Sequence, residues 1–170
     1  GALQLFLVDF SPDDLINAVF PKLSLIAEAK GLRLISTIDP ELTPILTGDL
    51  ERLGQILGIL VDNAIKFTQC GQVEVCLFHP DPDHWAIRVS DTGPGIAPQL
   101  QSLIFEPFRQ ADGSTTRKHG GAGLGLSVTK HLTTLMGGQI TLESRLCQCS
   151  TFTIILPITP AEDYADFPGG

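Results

Sequence analysis

One tryptophan, one tyrosine and one methionine in 170 residues are too few for an aromatic platform on which successive bases could stack. Basic residues are scarce as well. Eleven Lys and Arg stand against nineteen Asp and Glu, a formal charge of −8, and that balance disfavours a general nucleic-acid-binding surface. No apolar run approaches the roughly 20 residues of a membrane-spanning helix, and Gly1-Ala2-Leu3-Gln4 lacks the basic start of a secretory signal. The four cysteines are Cys70, Cys76, Cys147 and Cys149. Their Cys-x5-Cys and Cys-x-Cys spacings lack the Cys-x2-Cys of a zinc knuckle. They are expected to be small reduced side chains on or beside the strands of an intracellular chain.

What is present is the composition of one globular domain, 43% hydrophobic and 18% charged, long enough to bury a full core. Ser11-Pro12-Asp13-Asp14 supplies an N-cap, a proline for the first turn and acids for the helix dipole. Leu15, Ile16, Val19, Leu23, Ile26 and Ala27 then recur at helical spacing until Gly31. Residues 32–38 alternate like a strand that Asp39-Pro40 ends. A second helix is expected from Gly48-Asp49 to about Thr68, and a hairpin from 71–78 and 85–90 joined through Pro80-Asp81-Pro82-Asp83. Residues 91–125 are rich in Gly, Pro and polar side chains, and a segment this long is usually a functional lid. Residues 126–136 predict a helix, 139–143 and 151–157 a last hairpin, and 159–170 a Pro-, Gly- and acid-rich linker-like tail. The expected architecture is an α+β sandwich: a mixed sheet covered by helices on one face.

Three features carry chemistry. In the second helix Ile59, Asn63 and Lys66 share one stripe, with Leu53, Leu57, Leu60 and Ala64 as the packing face. An amide oxygen can ligate Mg²⁺ and a lysine can meet phosphate, although a solvated helix face would also carry Asn and Lys. Asp91-Thr92-Gly93-Pro94-Gly95-Ile96 follows a strand, where a carboxylate can accept from an exocyclic amine and glycines let the backbone approach a flat ring; an ordinary Gly-Pro turn reads the same way. Gly120-Gly121-Ala122-Gly123-Leu124-Gly125-Leu126 leads into a helix whose N–H groups and dipole suit phosphate. Between Phe105 and Lys130 four basic side chains outnumber two acids, a local reversal of sign that an anion-binding lid needs. The motif is neither a Walker loop nor a dinucleotide fingerprint.

In this order the motifs resemble the catalytic and ATP-binding domain of bacterial sensor histidine kinases, within the GHKL ATPase group. The resemblance runs from about Leu5 to Ile158. Residues 48–57 with Asp62-Asn63-Ala64-Ile65-Lys66-Phe67-Thr68 match the N box, 91–96 the G1 box, Ile104-Phe105-Glu106-Pro107-Phe108-Arg109-Gln110 the F box and 120–126 the G2 box. Thr115-Thr116-Arg117-Lys118 is characteristic of the kinase branch. The resemblance implies a Bergerat-type sandwich with ATP between the N-box helix and a long lid. Asn63 would hold Mg²⁺ and Lys66 would contact phosphate or ribose. Asp91 would bind the adenine amine in a pocket shaped by Gly93, Gly95 and Ile96. Gly121, Gly123, Leu124 and Gly125 would embrace the phosphates, Lys118 would add charge, and Phe105 and Phe108 would anchor the lid or simply pack. The implied partners are a dimerising domain carrying the phosphoacceptor histidine and a response-regulator receiver, with no nucleic acid and no membrane contact, in the cytoplasm. On this reading residues 1–10 are a remnant of the connection to that domain, 11–158 the ATP-binding domain and 159–170 a linker or tail.

The departures matter too. The family usually has a second Asn four residues before Asn63, and hydrolytic relatives a Glu; here Ile59 can neither ligate a metal nor deprotonate water. Cys147-Gln148-Cys149 replaces a common Gly-x-Gly in the last hairpin, which suggests a changed turn and leaves a thiol-sensing role open. None of His79, His84, His119 and His131 has the acidic neighbour and helical hairpin of a phosphoacceptor. Two alternatives stay open: a degenerate module working by protein contacts, and an anti-sigma-type serine/threonine kinase.

Overall fold

The computed structural model describes residues 4–106 and 122–158. In chain order the elements are β1 (Val8–Phe10), α1 (Pro12–Ala29), β2 (Arg33–Ile38), β3 (Leu46–Gly48), α2 (Leu50–Phe67), β4 (Gln72–Asp81), β5 (His84–Asp91), a single 3-10 turn (Pro98–Leu100), α3 (Ala122–Leu135), β6 (Gln139–Arg145) and β7 (Cys149–Pro157). Both long helices start where side-chain oxygens replace missing backbone partners. The Ser11 hydroxyl accepts from the Asp14 N–H at 3.2 Å while the Asp14 carboxylate accepts from the Ser11 N–H at 2.9 Å, a reciprocal cap worth about 1 kcal/mol. Asp49 accepts from the Arg52 N–H at 3.1 Å and, with its other oxygen, from the Phe6 N–H at 3.0 Å. The far end of α2 is held by a cation: Lys30 Nζ donates to the carbonyls of Ile65 and Lys66 at 2.7 and 2.9 Å, where the helix dipole is negative.

The main sheet has the order β2-β4-β5-β7-β6, with β2 parallel to β4 and the remaining pairs antiparallel. Val73, Val75 and Leu77 of β4, Ile87 and Val89 of β5, and Phe152, Ile154 and Leu156 of β7 are buried. They lie in one hydrophobic core with Leu53, Ile56, Leu57, Leu60 and Val61 of α2, and α1 and α3 pack on either side of α2. This is the mixed sheet, helix-covered on one face, that the pattern predicts.

The expected strands are present but longer. The hairpin runs to Asp81 and resumes at His84, and the last pair extends to Arg145 and from Cys149. Two elements have no counterpart in the sequence reading. β1 and β3 pair antiparallel, Val8 opposite Gly48 and Phe10 opposite Leu46, and buried Phe10 meets Trp85 edge to face at 6.3 Å. Of the three residues of β1 only Phe10 is buried in the core. Three-residue strands are too short to show an alternation.

Candidate functional site

The site residues gather along α2. Asn63 is only 8% exposed, so the stripe it shares with Ile59 and Lys66 is not a solvated face at that point. Its amide Nδ2 has no hydrogen-bond partner among the described residues, an unusual state for a buried donor. Lys66 is half-exposed and paired with Asp62 at 3.0 Å; an exposed pair of this kind is weak and readily exchanged.

Asp91 is the last residue of β5, between Val73 and Ser150 in the ladder. Its Oδ1 accepts from the Gly93 N–H at 2.9 Å, and the Ser150 backbone N–H also donates to the carboxylate. Burial nonetheless pushes its pKa above the ordinary carboxylate range, the two backbone donors acting in the opposite sense. A partly buried carboxylate with a raised pKa is a functional candidate on physical grounds.

The loop after Asp91 is fastened to the β6–β7 turn. The Ile96 N–H donates to Ser144 Oγ at 2.7 Å, Gln101 Nε2 to the Ile96 carbonyl at 3.0 Å, and the Cys147 N–H to the Pro94 carbonyl. Gly95 has φ +73°, and any β-carbon there would collide with the Arg145 carbonyl. Gly93 is restricted differently: a β-carbon would stand 2.9 Å from Asp91 Oδ1 and 3.1 Å from Thr68 Oγ1. Both glycines thus serve close packing against the protein itself, and in doing so fix where Asp91 points.

The turn on which this loop rests runs from Arg145 to Gln148. The Gln148 N–H donates to the Arg145 carbonyl at 3.0 Å, a four-residue turn with Cys147 third and at φ +67°. That position ordinarily takes glycine. Cys147 is exposed and Cys149 partly buried, and all four cysteines are free thiols.

The glycine motif lies further into the helix than expected. α3 begins at Ala122, not at Leu126, so Gly123, Leu124 and Gly125 form its first turn, where backbone N–H groups lack intrahelical partners. A β-carbon on Gly125 would be 3.2 Å from Ile59 Cγ2, so the first turn of α3 touches α2 through Ile59. Phe105 anchors the far side of the site, edge to face with Phe152 at 6.1 Å and beneath Lys130 Nζ at 5.9 Å. Phe108, Lys118 and Gly121, with the rest of the expected lid at 107–121 and the tail at 159–170, lie outside the described residues.

Two features escaped the sequence reading. Ser144 and Ser150, whose hydroxyls meet at 2.9 Å, belong to the inward rows of β6 and β7, two residues beyond Leu142 and two before Phe152. Thr68 follows Ala64 by one helical turn and is fully buried, with a hydroxyl unpartnered among the described residues. Polar residues that continue an apolar row were the signal in both cases.

The donor set suits ATP accompanied by Mg²⁺. Asn63 offers one amide oxygen, and Mg²⁺ commonly takes one or two protein ligands and completes its shell with phosphate and water. Among the described residues no cluster of three His, Cys, Asp or Glu could hold a metal alone, and Ile59 adds no ligand.

Comparison with known proteins agrees with this geometry. Residues 48–160 match the family described as histidine kinase-, DNA gyrase B-, and HSP90-like ATPase. Hybrid signal transduction histidine kinase D of Dictyostelium discoideum is 41% identical over 144 residues, 82% of this chain and 9% of that protein. Full-length ShkA in complex with AMPPNP superposes with a TM-score of 0.84 at 33% identity, over 95% of this chain and 33% of that one. The nucleotide-free catalytic domain of histidine kinase ThkA gives 0.77 at 26% identity, covering 91% and 99%. The chain belongs to the histidine kinase-, DNA gyrase B- and HSP90-like ATPase family. Within it, the similarity is to the ATP-binding catalytic domains of sensor histidine kinases, and the chain spans only a small part of the longer relatives. Among the described residues no helix is long and apolar enough to cross a membrane.

Proposed function

We propose that this domain donates the γ-phosphoryl group of ATP to a histidine on a separate dimerising helical domain, for relay to an aspartate of a response-regulator receiver. One observation carries the reading. Gly93, beside Asp91, crowds α2 at Thr68, whereas Gly125 of α3 crowds it at Ile59. Nine residues of α-helix separate these points, about 13 Å along the axis, a span suited to a nucleoside and its phosphate chain. The match to ShkA, which is described as bound to AMPPNP, supports the same placement.

In this reading Asp91 accepts from the adenine amine, with Gly93, Gly95 and Ile96 holding the base pocket. The first-turn N–H groups at Gly123, Leu124 and Gly125 receive the phosphates, with Gly121 extending that cradle. Asn63 would hold Mg²⁺, which supplies charge neutralisation when bound. Lys66 reaches phosphate or ribose by exchanging Asp62, and Lys118 and Phe108 act from the lid. In the transfer the β–γ bridging P–O bond breaks, a P–N bond forms to the imidazole, ADP departs and the imidazole gives up its proton. The protein's contribution is position and charge. Ile59 stands where a water-activating acid would be needed, so hydrolysis without the partner domain is slow.

The parent protein is proposed to work as a homodimer with this domain on the cytoplasmic side, joined through residues 1–10 to the dimerising domain. The test restores the natural upstream segment and assays for ATP-dependent, acid-labile phosphohistidine. Its appearance, with loss on changing Asn63, supports the proposal; phosphoserine, or rapid phosphate release by this domain alone, contradicts it. A second reading, a module that binds nucleotide poorly and acts by protein contacts, draws on Ile59. Calorimetric titration with a non-hydrolysable ATP analogue, with and without Mg²⁺, separates the two.

A further inference from the structure

Thr68 is the most conspicuous group the proposed mechanism leaves unused. Its side chain is fully buried, yet Oγ1 has no hydrogen-bond partner among the described residues. Leaving a buried hydroxyl unmade is unfavourable, and the row it continues, Leu57, Leu60 and Ala64, is otherwise apolar. A valine would serve packing alone. The hydroxyl is aimed at the base-binding loop: a β-carbon on Gly93 would be 3.1 Å from Thr68 Oγ1, 2.9 Å from Asp91 Oδ1 and 3.3 Å from the Phe67 carbonyl. The threonine hydroxyl and the carboxylate therefore crowd the same face of Gly93. Thr68 is also the residue that ends α2, with an extended backbone at φ −93° and ψ 122°, so its χ1 is not confined by the preceding helical turn.

The surroundings of Asp91 make one more donor consequential. The Gly93 N–H donates to the carboxylate from its own loop and the Ser150 N–H from β7, while the Thr68 hydroxyl crowds the same glycine without bonding the carboxylate. Neither donor is charged, and among the described residues no charged side chain is one of the groups that shift its pKa. These two backbone donors oppose the effect of its burial.

We propose that Thr68 is a positioning residue for base recognition, its O–H turning onto Asp91 so that the carboxylate stays ionised and oriented toward the exocyclic amine of a bound purine. The inference rests on the reading of Asp91 as the base acceptor. It predicts a defined phenotype for Thr68→Val, which keeps the shape and removes the hydroxyl. Affinity for a non-hydrolysable ATP analogue falls about tenfold, the loss typical of one hydrogen bond to a charged group. The pH below which affinity is lost moves up, because Asp91 protonates more readily. Thr68→Ser keeps both properties. A general packing defect would instead lower the melting temperature and leave the pH midpoint in place.

The experiment titrates the parent chain, Thr68→Val, Thr68→Ser and Asp91→Asn with the analogue across pH 4 to 8, melting each variant in parallel. Should Thr68→Val unfold early, Thr68→Ala against Thr68→Ser makes the same comparison. Weak binding with an upward-shifted midpoint in Thr68→Val, restored in Thr68→Ser, supports the inference. Parental affinity in Thr68→Val, or a loss with an unmoved midpoint, overturns it while the role of Asp91 survives. Parental affinity in Asp91→Asn removes the base-acceptor reading itself, and the Thr68 inference with it.

Discussion

Asp91 shows how a functional group can sit at odds with its own fold. Because burial raises its pKa, the folded chain takes up a proton at this site more readily than the unfolded one. Its charge therefore lowers stability above the raised pKa, and that cost is relieved as pH falls through it. Asp91→Asn removes the charge, so the variant is expected to melt no lower than the parent at neutral pH. An Asn whose oxygen serves the Gly93 and Ser150 N–H groups turns its NH₂ toward the ligand amine. Nucleotide affinity should then fall by roughly ten- to a hundredfold, measured by calorimetry beside a thermal melt. Cys147 is a second residue under local strain. A left-handed backbone costs a side-chain-bearing residue about 1–2 kcal/mol, and glycine returns roughly 0.5–1 kcal/mol of that as chain entropy. Cys147→Gly is therefore expected to gain about 0.5–1 kcal/mol in denaturant unfolding; a loss would contradict the turn geometry. The sequence placed Cys147 in the last hairpin, whereas the sign of φ at 147 needed the structure.

At the scale of elements, α2 joins the two halves of the site, touching the Asp91 loop at Thr68 and α3 at Ile59. Gly125 faces Ile59 Cγ2 closely enough that an added methyl has to displace it. The cost of Gly125→Ala is expected to be about 1 kcal/mol smaller when Ile59 is already Ala, a coupling read by a double-mutant cycle in denaturant. Equal costs in the two backgrounds would contradict the contact. Gly54 and Gly58 of the same helix are different, since nothing lies within 4 Å of where their β-carbons would be. Replacing each with Ala is expected to stabilise by up to about 1 kcal/mol, seen as a higher denaturation midpoint. The helices and long strands were legible in the sequence because caps and periodicity are local: Ser11 with Asp14, Asp49, and the alternation in β4 and β7. The start of α3 was not, because glycines weaken a helix by propensity and only its packing on α2 shows that Ala122 to Gly125 are helical. β1 and β3 were missed for want of length.

At the scale of the molecule, the sheet separates two surfaces. The helix-covered face holds the core and, above it, a line running from Asp91 past Asn63 to the first turn of α3. The opposite face carries the outward rows of the strands, Glu74 and Arg88 among them. The motifs named the residues on that line and their order. That α2 lies between the Asp91 loop and the first turn of α3 became visible only with the fold. The central claim is that a nucleotide lies along α2 with its base at Asp91 and its phosphates at α3. Backbone amide NMR of the domain, titrated with a non-hydrolysable ATP analogue and Mg²⁺, tests it most directly. The account predicts saturable shifts at residues 59–68, 91–96 and 105–126; no binding, or shifts centred on the outer face around Glu74 and Arg88, would contradict it.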